Sequence, residues 1–470
     1  MAACPRKRRH SMVVPYNSPW ASSLHADLLL LVAWRLLDGD LMDYVRLRAV
    51  CKNWRYATIC PRGRGITDSR FHPRRWMMLP EGHGLHPGHY KLGGFVRFLN
   101  LDTGTLVRVK LPLFKNHCIL DSVNGLLLLQ RDEDSAILLL NPFTSDITEL
   151  PPLSTLLTQV VKQSEITVGL CYCYLLKHGM STAVFCNNDG TTTVMIILHH
   201  LSQLAYATSQ DKQWIMASWD LPLNMKALSC QGKLYLVQYP ASHGSQVLQI
   251  DPPLQVGSPP PRPKLIATCP TNKLVYGYHL VECDSNILLV CHTDDSRSPI
   301  LIYNLENITA GRFTPVRSIG KHALFLGERS LSVSSKALPT IMAETVVYKE
   351  PREHRFVQYH LGTGNWSEPV DECGIYGYSP GPHSLIQHII TCCIRRAWYV
   401  ISFYLALFSC YQLIIIVHRI ILFRSHANMF SFCPYRNKGL IYSEAEAYKP
   451  GWLTWKVKRK FRHWVQFSHN

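Results

Sequence analysis

Residues that could carry chemistry are sparse in this sequence. His199-His200 follows the apolar run Val194 to Leu198, so one imidazole faces a core edge and the other solvent, with no third metal ligand in view. Asp132-Glu133-Asp134 sets three carboxylates side by side, which suits a hairpin turn better than an acid and a base held apart. Sixteen cysteines occur without one Cys-x-x-Cys pair, and Cys171-Tyr-Cys173 and Cys392-Cys393 are too close for ordinary metal-ligand pairs. No Gly-x-Ser-x-Gly elbow, His-Glu-x-x-His zinc helix or Gly-rich phosphate loop is present. The expectation is a binding protein with no catalytic residue, cofactor or metal, its cysteines reduced thiols in an intracellular setting.

Binding has a clearer candidate, in residues 19–60. Leu28, Val32 and Leu36 recur at helical spacing, Asp38-Gly39-Asp40 interrupts them, and Leu47, Val50, Cys51 and Trp54 form a second stripe. Two or three short amphipathic helices result. A unit this small buries little surface alone, so its apolar faces are expected to meet a partner as well as each other.

The pattern resembles the F-box. Leu24 stands where that family has its opening leucine, Asp27-Leu28-Leu29 follows, and Val50-Cys51-Lys52-x-Trp54-Arg55 ends the motif. His25 and Leu37 stand where the family usually has proline. The resemblance implies docking onto a Skp-type adaptor, and through it a cullin, in an SCF ubiquitin ligase whose target the rest of the chain selects. The adaptor-binding candidates are Leu24, Asp27, Leu28, Val32, Leu36, Leu41, Val50, Cys51, Trp54 and Arg55.

The elements behind this segment follow a different period. Phe95 to Asn100, the turn Asp102-Thr103-Gly104 and the alternating Leu106 to Leu111 predict a β-hairpin ending at Pro112. Leu138 to Asn141, Pro142 to Ser145 and Ile147 to Leu150 repeat it, with Asn100 and Asn141 41 residues apart. Asn124-Gly125, Gln231-Gly232 and Ser285-Asn286 each feed an apolar run, followed by the endings Leu140-Asn141, Ile250-Asp251 and Tyr303-Asn304. Tyr359-His360 with Thr363-Gly364 is a decayed copy. A repeat of about forty residues built from short strands predicts propeller blades, roughly six to seven of them. Pro252 to Pro263 reads as a surface loop or a linker between blades.

Trp76 to Pro80, Phe98 to Gly104, Leu139 to Thr144, Ala323 to Gly327 and Leu331 to Val333 resemble the KIB-type propellers that follow the F-box in a large plant family. Gly381 to Leu385 and Cys392-Cys393, leading to Trp398, are similar to that family's C-terminal end. The expected organisation is α+β multidomain: a basic disordered N-terminus (1–18), an F-box-like helical domain (19–60), a linker (61–75), an all-β propeller (76–397) and an atypical tail (398–470). Its expected role is substrate receptor of an SCF-type ligase, in nucleus and/or cytoplasm, binding an unidentified target protein.

Charge narrows the partners. The net charge is +17, but residues 71–382 carry 25 Lys/Arg against 25 Asp/Glu, and the excess sits in 1–70 and 383–470. The middle of the chain lacks the positive surplus that phosphate binding needs, so nucleic acid is not an expected partner. Arg6 to Arg9 read equally as a nuclear localisation signal or a solvated tail. Trp398 to Val417 has no charged residue and is just long enough to span a bilayer. A membrane anchor, a segment packed on the propeller and non-native coding sequence are its three readings. The anchor would make the chain a membrane-tethered or scaffolding protein with a non-functional F-box.

Overall fold

A computed structural model describes residues 24–79, 94–156, 159, 180–187, 189–199, 201–223, 225–238, 245–253, 258–269, 275–293, 298–338, 340–349, 356–367 and 385–393. All of these fall within one compact unit, 1–403. The basic N-terminus (1–18), Cys171 and Cys173, and the segment 398–417 lie outside the described residues.

The chain opens with three helices, α1 (Ala26–Gly39), α2 (Leu41–Ala49) and α3 (Lys52–Ala57). The expected break at Asp38-Gly39-Asp40 falls as one residue: Asp40 is extended and caps α2, its Oδ1 accepting the Met42 amide at 2.9 Å. Leu29, Ala33 and Leu37 of α1 meet Leu41, Tyr44 and Leu47 of α2 in a small core completed by Phe71.

Six β-sheets follow. Sheet 1 holds β1 (Trp76–Met78), β2 (Phe95–Asn100) and β3 (Leu106–Lys110); sheet 2 holds β4 (His117–Val123), β5 (Leu126–Arg131), β6 (Ile137–Leu140) and β7 (Ile147–Leu150). Sheet 3 is β8 (Met180–Cys186), β9 (Thr192–Leu198), β10 (Gln203–Thr208) and β11 (Ile215–Asp220). Sheet 4 is β12 (Met225–Cys230), β13 (Lys233–Gln238), β14 (Gln246–Ile250) and β15 (Lys264–Thr268). Sheet 5 is β16 (Val275–Cys283), β17 (Asn286–Thr293) and β18 (Leu301–Asn304). Sheet 6 comprises β19 (His322–Leu326), β20 (Leu331–Ser334), β21 (Thr345–Lys349), β22 (Phe356–His360) and β23 (Asn365–Ser367), ordered β20-β19-β21-β22-β23, with β19 and β21 parallel.

Side-chain alternation closes these sheets into a ring. Leu126 and Leu128 of β5 point into the core shared with sheet 3, while Leu127 and Leu129 point into the core shared with sheet 1. Ile196 and Ile197 of β9, and Leu288 and Leu289 of β17, divide between neighbours in the same way. Strands buried on both faces read as continuous apolar runs, as these do. Six cores fill the six seams, and the last joins sheet 6 to sheet 1. The fold is a six-bladed β-propeller preceded by helices, within the expected six to seven blades.

Three stretches add detail to this ring. Pro252 to Pro263 connects β14 and β15 of one sheet, so of its two readings the linker between blades falls away and the loop remains. Within the stretch 61–75, Gly65, Ile66, Phe71, His72 and Pro73 are buried. The propeller also contains a helix, α4 (Leu385–Cys393), whose Ile386, Ile389, Ile390 and Cys393 enter the seam between sheets 6 and 1. That i, i+3, i+4, i+7 spacing marks one helical face.

Candidate docking site on the N-terminal helices

The first turn of α1 has little to define it, since His25 makes no side-chain cap and pairs only with the exposed Asp27 at 3.3 Å. The helix then carries apolar residues on two sides. Leu29, Ala33 and Leu37 face the helical core, whereas Leu28, Leu31 and Val32 are 54%, 66% and 46% exposed. A helix apolar all round is normally buried, so the outward stripe is surface without a described cover.

The ten sequence candidates divide accordingly. Leu24, Asp27, Leu28, Val32, Val50 and Arg55 are exposed; Leu41 is buried, and Leu36, Cys51 and Trp54 are half-buried. Leu36 and Trp54 pack on the helical core, and the Cys51 sulfur accepts the Trp54 amide at 3.4 Å to start α3. These three, with Leu41, build the unit. Leu31 and the exposed Val45 and Tyr56 escaped the sequence reading. The i, i+3, i+4 relation of Leu31 to Leu28 and of Val32 to Leu28 could have signalled the first of them.

The helices are bonded to the propeller through residues with repeated roles. Asn100 closes the β2–β3 turn by accepting the Asp102 and Thr103 amides, and its Nδ2 donates to Asp40. Asn141 closes the β6–β7 turn by accepting the Phe143 and Thr144 amides, and its Nδ2 donates to the Gly65 and Phe71 carbonyls. Both positions of the 41-residue spacing therefore do one job. Asp40 also accepts the Trp76 indole N–H at 2.7 Å, and burial pushes its carboxyl pKa up. Asp146 accepts the Gly63 and Gly65 amides at 2.8 and 2.7 Å. A Cβ on Gly65 would come 2.2 Å from Thr144 Oγ1, so only glycine fits there.

Beneath the helices lies a polar cavity of about 400 Å³, lined on one side by residues 37–41 and on the other by Arg75, Asp102, Asn124, Gln231, Glu282 and Asp284. Arg74, Arg75, Asn124 and Glu282 also line the space between the inner strands, with Asp121, Ser181, Ser229 and Arg329. The helices thus cover one mouth of the propeller's axial channel. Deeper in the ring, Lys226 Nζ sits 2.8 Å from His279 Nε2, which lies 3.3 Å from His292 Nε2, and burial brings the lysine pKa down to about 7. His199 Nε2 lies 2.8 Å from Ser181 Oγ, and His200 is outside the described residues. Asp132 to Asp134 occupy the β5–β6 turn, with Asp134 held by Arg131 at 2.9 Å.

A six-bladed propeller closed by a terminal helix and capped by a small helical unit is the class these features define. Residues 98–376 match the family model of the KIB1-4 beta-propeller, and the chain belongs to that family. No curated protein matches the chain. Among solved structures, a Bacteroides ovatus protein described as xyloglucan PUL GH43B is similar at 11% identity and a TM-score of 0.22. That match spans 52% of this chain and 48%, about half, of the other, a likeness too slight to carry an argument.

Proposed function

We propose that the chain is a substrate receptor of an SCF-type ubiquitin ligase, its N-terminal helices docking a Skp-type adaptor and its propeller holding a target protein. The propeller fold suggests a protein-interaction domain. The observation that carries the finer reading is the outward stripe Leu28, Leu31 and Val32 on a helix whose opposite face is already packed. Burying such leucines against a partner contributes about 1.5–3 kcal/mol each, enough for a few side chains to dominate docking. Ligation would then work by proximity, with the receptor raising the effective concentration of a target lysine near the charged conjugating enzyme, and with no bond made or broken by this chain.

The test is co-purification of the full chain with a Skp-type adaptor, comparing wild type with Leu28→Asp and Leu31→Asp. Both positions are exposed, so the melting temperature is expected to hold while adaptor binding falls at least about a hundredfold. Unchanged binding in both folded variants, or no binding by the wild type, removes the reading.

A further inference from the structure

Among the described residues, one group of three side chains brings a sulfur, a carboxylate oxygen and an imidazole nitrogen within 4.8 Å of one another: Cys283, Asp284 and His322. Cys283 ends β16, Asp284 opens the turn into β17 with φ of +53°, and His322 begins β19 on the next sheet. The site therefore straddles the seam between sheets 5 and 6, with Asp284 reaching into the cavity under the helices.

The imidazole makes this more than a chance cluster. His322 is 1% exposed, and its Nδ1 faces the Ile319 carbonyl at 3.4 Å, an atom that can only accept. A neutral ring that donates its proton from Nδ1 to this carbonyl keeps a lone pair on Nε2. That Nε2 is buried and makes no hydrogen bond, yet it stands 3.4 Å from Asp284 Oδ1. Two lone-pair donors at this separation repel unless a cation, a proton or a metal ion, lies between them. With metal–ligand lengths of about 2.0–2.1 Å, two ligands on a tetrahedral ion are separated by roughly 3.4 Å. The backbone carbonyl behind Nδ1 is the support that a metal-bound histidine needs. Arg75, the neighbouring guanidinium, is taken by Asp102 through two hydrogen bonds at 2.7 and 2.5 Å.

We infer that Cys283, Asp284 and His322 form a divalent transition-metal site, fitted to zinc by its S, N and O donors, with a fourth position open to the cavity. Three donors of this mixed softness select a borderline ion over calcium or magnesium, which take oxygen alone. Bound there, the ion would cross-link two blades at the mouth the helices cover. This site is independent of the adaptor reading, since none of its ligands lies on the helices.

The test uses the full chain, stripped with chelator, dialysed against zinc or cobalt(II), and analysed for metal content and visible absorption. Asp284→Asn keeps a residue that tolerates positive φ and is exposed, so it reports on ligation without disturbing the core. Cys283→Ser is the second variant. The wild type is expected to hold about one equivalent of metal with a thiolate-to-cobalt charge-transfer band. Asp284→Asn is expected to weaken binding at least tenfold, and Cys283→Ser to lose the band. A wild type that binds no metal at micromolar supply overturns the inference, as does an unchanged stoichiometry and spectrum in Asp284→Asn; should Cys283→Ser not fold, Asp284→Asn decides.

Discussion

His72 illustrates how a single buried base sets the response to acid. Its Nε2 donates to the Ile66 carbonyl at 2.9 Å, its Nδ1 has no partner, and burial pulls its pKa down to about 4. Between pH 6.5 and 4 the unfolded chain takes up a proton that the folded chain refuses, so stability falls as pH drops through this window. Denaturant melts should show wild type losing about 2 kcal/mol more than His72→Gln on going from pH 7 to pH 5. Lys226 acts on the alkaline side by the same sign: its depressed pKa makes stability rise from about pH 7 upward, and Lys226→Met should flatten that rise. Asn141 is the polar counterpart, with all of its bonds internal. Asn141→Ala leaves two carbonyls and two amides without their partner, and should lower stability by about 3 kcal/mol in equilibrium unfolding. Sequence reading found Asn100 and Asn141 as a spacing. It could not see that each amide group reaches back to residues preceding the sheets, because those partners are far apart in the chain and near only after folding.

At the scale of elements, period was readable and direction was not. The two hairpins, β2–β3 and β6–β7, and the turns entering β5, β13 and β17 fall where alternation and Asn/Gly chemistry placed them. Continuous runs such as Leu126 to Leu129 announced strands buried on both faces. In the helices, apolar residues cover so much of α1 that periodicity marks a helix without choosing its inward side. Leu41 was accordingly counted with the docking residues although it belongs to the core, and Leu31 was passed over although it is the most exposed of its stripe. The metal ligands were hidden for a related reason: Cys283 and Asp284 are adjacent, but their third partner begins a strand of the next blade. Helix α4 escaped because nine residues with one apolar face read equally well as a strand end. Its contribution can be measured: Ile389 is fully buried, and Ile389→Ala should cost about 3 kcal/mol in stability while leaving adaptor binding intact in the folded fraction.

For the whole molecule, the ring is joined by packing at one seam, where Leu79, Leu99 and Leu101 of the first blade meet Phe325, Val347 and α4 of the last. The Ser334 amide donates to the Leu101 carbonyl across it, and the Arg329 amide donates to that of Cys393. Gly327 permits the close approach, since a Cβ there would lie 2.5 Å from the Cys393 carbonyl oxygen. This seam fixes a schedule for biosynthesis. The helices and the first five blades leave the ribosome long before the residues that complete the ring, so a nascent chain carries a finished apolar stripe on an unfinished propeller. Its first blade keeps one apolar flank uncovered until sheet 6 and α4 have emerged. A chain halted before residue 322 would show that flank permanently, and should reach a chaperone or protease early.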